Sequence, residues 1–383
     1  MHPSRTDRDS ARRDSVCPAA VDPALTTPLL PSLTGLRWVA AFVVFAYHVR
    51  NLGYFSGRAQ GLLSDTMGAG ATGVSLFFVL SGFVLAWAHR PGTGPVTFWW
   101  RRVARIYPLH FVGVVLAVLV AHFLMPSIVT TSSKALLANF LLVSSWHGPW
   151  WQAGNPVSWS LVCEAFFYLV FPLLIRVLHH ARAGFLWGTA ALSVLLTLAV
   201  PSLLAALPGQ LSAGNWPPAR LPEFVLGVAV ACLIRSGAWR GPGPVVSAVV
   251  AVAGFVAADR FPSSPFALDG FTLLGFTLLI AALARADVAG VRTGLSSRPL
   301  VALGERSFAF YLVHLLVIDT LGALWPAADP RPAIGGLALT VLALGTALLV
   351  ASVLHRLVER PARTALLAVP GLFARSTVSV VTR

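Results

Sequence analysis

Arg37 and His48 stand eleven residues apart in one apolar stretch, LTGLRWVAAFVVFAYHVRNLGY (33–54). At 100° per residue this spacing returns to within ~20° of its start, so on a helix the two side chains share a face, ~16 Å apart along the axis. An imidazole whose ordinary pKa is near 6.5 can take a hydroxyl proton near neutral pH. A guanidinium stays charged and grips phosphate or carboxylate through a planar fork. In hydrocarbon each such group costs ~2.5–3.5 kcal/mol or more, so it faces a protein interior or a wet cavity. The pair therefore predicts a buried site with a base at one level and an anion clamp at another. The bland alternative for His48 is a packed histidine bonded to a neighbouring carbonyl.

Other polar residues in apolar surroundings raise the same choice. Glu164 follows Ser160 by four residues, on one helix face. It either orients His48 and stabilises its imidazolium, as the acidic member of a triad does, or forms a structural ion pair with Arg220 or another arginine. Arg101, Arg102 and Arg105 are either topogenic charge or an anion site. Arg220 and Glu223 form an i,i+3 pair, structural or in contact with substrate. His314 sits mid-run in FYLVHLL and has no assigned step. Ser160 lacks the strand–turn–helix elbow of a serine nucleophile.

The elements that must position these residues follow from composition. The chain has 383 residues, 56% apolar and 11% charged, against about 25% charged in soluble domains. This predicts an all-α, polytopic transmembrane bundle. Apolar runs of helix length recur at 33–54, 70–89, 107–125, 158–178, 185–206, 220–234, 244–258, 268–284, 303–324 and 333–355, about ten spans; 135–145 is too short for the ~20 residues a span needs. With both termini cytoplasmic, only Arg50, Arg58, Lys134, Arg220, Arg260 and Arg331 of the 28 basic residues fall outside, as the positive-inside rule requires. That topology predicts His48, Ser160 and Glu164 in the outer half of the membrane and Arg37 near its inner face.

The stretches LTGLRWVAAFVVFAYH, GVSLFFVLSGFVL (73–85), FWWRRVARIYP (98–108), VSWSLVCEAFFYLVFPLL (157–174), RLPEFVLGVAVA (220–231), LGERSFAFYLVHLLVI (303–318) and ERPAR (359–363) resemble, in order, the signatures of the integral-membrane acyltransferase type 3 family. The family's first motif often has an Asp where this chain has Thr34. The SLTGLRW form also resembles actinobacterial members that acylate macrolide antibiotics. The resemblance implies a transmembrane acyltransferase domain over 32–363, flanked by a disordered cytoplasmic tail (1–31) and a cytoplasmic C-terminal tail (364–383). It implies transfer of a short acyl group from acyl-CoA, the acetyl ester foremost, to a hydroxyl of a carbohydrate-containing or macrolide acceptor, in the plasma membrane. It implies His48 as general base and Glu164 as its partner, with Arg37, Arg102, Arg105, Ser160 and Glu223 contacting substrate.

No metal and no bound cofactor are expected. Cys17, Cys163 and Cys232 have no ligand or CxxC spacing. The net charge of +14 does not predict nucleic-acid binding, since no basic stripe alternates with exposed aromatics. The competing class is a transporter or flippase using the intramembrane His, Arg and Glu as a proton or substrate path. Against it, the chain lacks matched halves with Gly/Pro-broken helices.

Overall fold

The computed structural model describes residues 28–51, 53–126, 132–206, 212–267, 269–325 and 333–368. Most of the two expected tails, 1–27 and 369–383, lies outside these. Among the described residues every regular element is helical. The long helices are α1 (Pro31–Asn51), α3 (Gly73–Trp87), α4 (Pro95–Phe123), α6 (Trp159–Leu178), α7 (Ala183–Ala205), α8 (Pro217–Arg235), α9 (Pro244–Arg260), α10 (Gly270–Val288), α11 (Arg298–Leu324) and α12 (Ala333–Leu354). Short helices α2 (Gly57–Met67), α5 (Ser133–Phe140) and α13 (Arg360–Leu367) complete the order.

Nine helical segments among the described residues are long and apolar enough to cross a membrane. The tenth apolar run forms α9, whose 17 residues fall at the lower limit of a span. Val245, Val249, Val252 and Val256 line an exposed face of α9, a surface suited to lipid. Each of the ten expected runs thus carries a helix, and 135–145 yields only the eight-residue α5.

Two boundaries differ from the hydropathy pattern. α4 begins at Pro95 rather than near residue 107, because Pro95 stands in its first turn after Gly94, where the missing N–H costs nothing. Arg101, Arg102 and Arg105 therefore lie on the first turns of a helix, not in a connecting loop. At the other end α12 does not stop at 355 but runs through a π-helical turn, His355–Glu359, into α13.

The core follows from close helix contacts. A Cβ at Gly82 of α3 would overlap the Phe224 carbonyl of α8, and one at Gly227 of α8 would overlap the Val79 carbonyl of α3. Reciprocal small residues let the two backbones touch, as dispersion-driven packing in lipid favours. α1 and α11 run parallel in fixed register: Thr34 meets Gly304, Phe45 meets Phe310, and the Tyr54 hydroxyl donates to the Ile318 carbonyl at 2.7 Å.

The segment before α6 is folded into the bundle. Asn139, Ser144, Ser145, Asn155 and Ser158 are all buried, and non-helical backbone in a membrane protein must find its partners internally. Here Asn139 Nδ2 donates to Ser158 Oγ at 2.7 Å, Ser158 Oγ to the Asn155 carbonyl at 2.6 Å, and Asn155 Nδ2 to the Leu312 carbonyl at 2.8 Å. Leu312 lies near the middle of the 27-residue α11, so α6 starts deep in the bundle.

Candidate active site

A cavity of about 400 Å³ opens between the start of α1, the end of α3 and the first turns of α4. Its charged wall is Arg37, Arg102, Arg105 and Glu164; its polar inner end is Ser160 and Tyr311; Leu33, Phe77, Phe78 and Leu161 give it an apolar body. Five of the seven residues singled out by sequence thus line one space: Arg37, Arg102, Arg105, Ser160 and Glu164.

The positive wall is poorly neutralised. Among the described residues no carboxylate lies within ion-pair distance of Arg37, Arg102 or Arg105, and Arg102 Nε is buried without a hydrogen-bond partner. Glu164 is their electrostatic neighbour and accepts a 3.0 Å hydrogen bond from the Tyr168 hydroxyl on Oε2. A partly buried cation cluster of this kind favours an anion, because desolvated charge needs a counter-charge. The guanidinium fork suits phosphate.

His48 does not line this cavity. It faces His314, with ring centroids 5.2 Å apart and planes inclined by 49°. His314 is fully buried, and its Nδ1 lies 2.7 Å from the Tyr311 carbonyl. A carbonyl only accepts, so Nδ1 carries the hydrogen and Nε2 is left as an acceptor. That Nε2 is buried without a partner among the described residues. Tyr311 stands one helical turn below His314, and its hydroxyl lies 2.9 Å from Ser160 Oγ at the inner end of the cavity.

The sequence expected Glu164 beside His48 in the outer half of the membrane. The structure instead puts Glu164 with the arginines, because the inward fold of 132–158 sets the start of α6 deep in the bundle. Glu223 is likewise absent from the cavity wall. It is fully buried and pairs at 3.1 Å with Arg220, which also binds Asp269 at 2.6 Å, Ser75 at 2.8 Å and the face of Phe78 at 5.2 Å. Arg220 thereby ties α8 to α3 and to the residue preceding α10, and Glu164 is not its partner.

Tyr168 and Tyr311 went unremarked in the sequence, and His314 had no assigned role. Spacing held a signal for both tyrosines: Tyr168 is four residues after Glu164 and Tyr311 three before His314, each on the same helix face as a polar group.

A membrane-embedded helical bundle with this ordered set of signatures defines an integral-membrane acyltransferase. Residues 30–356 match the acyltransferase domain family, and the chain belongs to it. It is 41% identical over 360 residues to the acyltransferase MdmB of Streptomyces mycarofaciens, covering 87% of this chain and 91% of that protein. It is 26% identical over 372 residues to the peptidoglycan O-acetyltransferase OatA of Listeria monocytogenes, covering 87% of this chain and 56% of OatA. The OatA protein of Staphylococcus aureus matches at 25% over 323 residues, covering 76% of this chain and 50% of that protein. No solved structure matches the chain. The protein is thus a multi-pass membrane O-acyltransferase, and the transporter reading is set aside.

Proposed function

We propose that the protein moves a short acyl group, acetyl foremost, from acyl-CoA to a hydroxyl of a macrolide or other carbohydrate-bearing acceptor, in the plasma membrane with both termini cytoplasmic. One observation carries the reading: an arginine-rimmed cavity ends at Ser160 and Tyr311, one helical turn from the His48–His314 pair. The rim suits the diphosphate of coenzyme A, the apolar body suits its pantetheine arm, and the inner end brings the thioester towards the imidazoles. The macrolide acceptor is favoured by the likeness to MdmB along nearly its whole length; the OatA likeness keeps a glycan acceptor in view.

In this mechanism the acceptor oxygen attacks the thioester carbonyl carbon while His48 takes the hydroxyl proton. The tetrahedral intermediate collapses with cleavage of the C–S bond, and the imidazolium returns the proton to the departing thiolate. His314 acts as a positioning residue: its Nε2, unpartnered among the described residues, comes to accept the N–H of His48 once donor and acceptor are bound. That arrangement fixes the tautomer in which the other His48 nitrogen is the base. Glu164, bonded to Tyr168, offsets part of the arginines' charge without pairing with them, and Ser160 with Tyr311 borders the reacting end of the donor. Glu223 belongs to the Arg220 ion network rather than to substrate.

The test is acceptor-dependent release of free coenzyme A by the purified protein in detergent, with a macrolide and a muramyl glycan offered separately. Transfer to the macrolide alone is the expected result. Absence of coenzyme A release with every hydroxyl acceptor would remove acyl-CoA as donor.

A further inference from the structure

Beside the arginine cavity, at the same end of the bundle, lies a second cavity of about 370 Å³ that acyl transfer leaves unused. Its wall comes from the turn after α3, the start of α4 and the end of α6. The ionisable groups lining it are His89, Arg176, His179 and His180, and no carboxylate lines it. The His89 and His179 rings are 5.3 Å apart, and those of His179 and His180 4.7 Å. Behind His89, Arg235 of α8 donates to the Ala86, Trp87 and His89 carbonyls. The floor is apolar: Phe98 and Phe171 stack on each other at 4.8 Å with planes 26° apart.

A metal does not fit this cluster, since among the described residues no three His, Cys, Asp or Glu side chains are spaced to hold one. An anion does. Burial, and then the neighbouring basic groups, hold His89 and His179 below the usual histidine range. A bound negative charge reverses that sign and draws protons onto the imidazoles. The first turn of α4 also opens here, uncapped by any side chain, adding its unpaired N–H groups and positive dipole end. Finally, Phe98 carries the Arg102 guanidinium over its ring at 5.7 Å, so a single aromatic layer separates this space from the first cavity.

We propose that the second cavity is a phosphate-binding site, taking a phosphomonoester among His89, Arg176, His179 and His180 with the rest of the ligand against the apolar wall of Phe98 and Phe171. Two sources present that chemistry: the 3′-phosphoadenosine end of coenzyme A, which rests on the donor reading above, and the headgroup of a phosphatidate lipid, which does not.

Binding to the full-length protein is measured with inorganic phosphate and adenosine 3′,5′-bisphosphate in detergent, and with phosphatidate in nanodiscs. The variant is Arg176→Gln/His180→Gln, at two exposed positions. Phosphate binding weakened tenfold or more in the variant, and tighter at pH 6 than at pH 8 in the native protein, is the expected result. Loss confined to the bisphosphate assigns the nucleotide, and loss confined to phosphatidate assigns the lipid. Equal binding by native protein and variant in every arm overturns the site. Turnover with an acyl-pantetheine donor lacking the nucleotide stays unchanged in the variant; a fall there would make these residues structural and also overturn it. Native protein that binds phosphate but never consumes acyl-CoA would defeat the donor reading and leave this one standing.

Discussion

His48 of α1 and His314 of α11 face each other with ring centroids 5.2 Å apart, and the proton on His314 is fixed by its 2.7 Å hydrogen bond to the Tyr311 carbonyl. Replacing His48 by Ala is expected to lower turnover by roughly 10²–10⁴ while donor binding stays near normal, the usual share of a positioned base. His314→Gln should lower kcat less and shift the acidic limb of the kcat/KM profile. The double variant should be little worse than His48→Ala alone, since residues acting as one unit are non-additive. Fully multiplicative losses would make His314 a packing residue only.

Glu164 belongs with the arginines, so Glu164→Gln, by removing a negative charge from the anion site, should lower the KM for acyl-CoA and steepen its salt dependence rather than abolish proton transfer. Its effect should multiply with that of His48→Ala. Steady-state kinetics of both single variants and the double variant decide this; a strongly non-additive pair would return Glu164 to the base.

Arg102→Ala should weaken donor binding about tenfold or more, as loss of a charge-assisted hydrogen bond worth ~1.5–3 kcal/mol implies, with acceptor affinity unchanged. Arg102→Lys should recover only part, because lysine lacks the bidentate fork. Calorimetric titration with coenzyme A reads both, and native affinity in the alanine variant would leave this arginine a topogenic charge.

Arg220→Leu strands Glu223 and Asp269 in the interior. Breaking a buried pair by removing one partner costs about 3–5 kcal/mol, so the unfolding midpoint in detergent should fall clearly. Glu223→Gln should cost less and leave acyl-CoA KM unchanged; a large KM change would bring Glu223 back to the substrate.

The ten-span topology predicts a cytoplasmic tag at Arg383 and an outside-accessible thiol in Gly148→Cys. Impermeant labelling of intact cells tests the second, and protection until lysis would count against ten spans.

The fold was largely legible because the membrane writes itself into hydropathy, and the helices of the ten apolar runs mark where it did. The start of α4 was not, since TGPVTFWWRRVAR mixes charge with aromatics and lowers the local hydropathy although the backbone is already helical. Within the site, Arg37, Arg102, Arg105, Ser160 and Glu164 could be picked out as polar groups in apolar runs. Their grouping needed the depth of α6, set by the buried polar segment before it, and hydropathy reads such a segment as a loop outside. The partner of His48 was hidden for another reason: His314 is 266 residues away in the chain, and only the parallel register of α1 and α11 brings them level.

The bond from Asn155 to the Leu312 carbonyl spans 157 residues of chain, and this fixes an order of assembly. At a synthesis rate of ~5–20 residues per second, the segment before α6 waits about 8–30 s for the helix that seats it. Until α11 has been made and inserted, its buried amide has no permanent acceptor and the deep end of α6 has no floor. A nascent chain halted after α10 can hold most of its helices in the bilayer and still lack the inner end of the cavity, so the catalytic centre is among the last parts of the protein to exist.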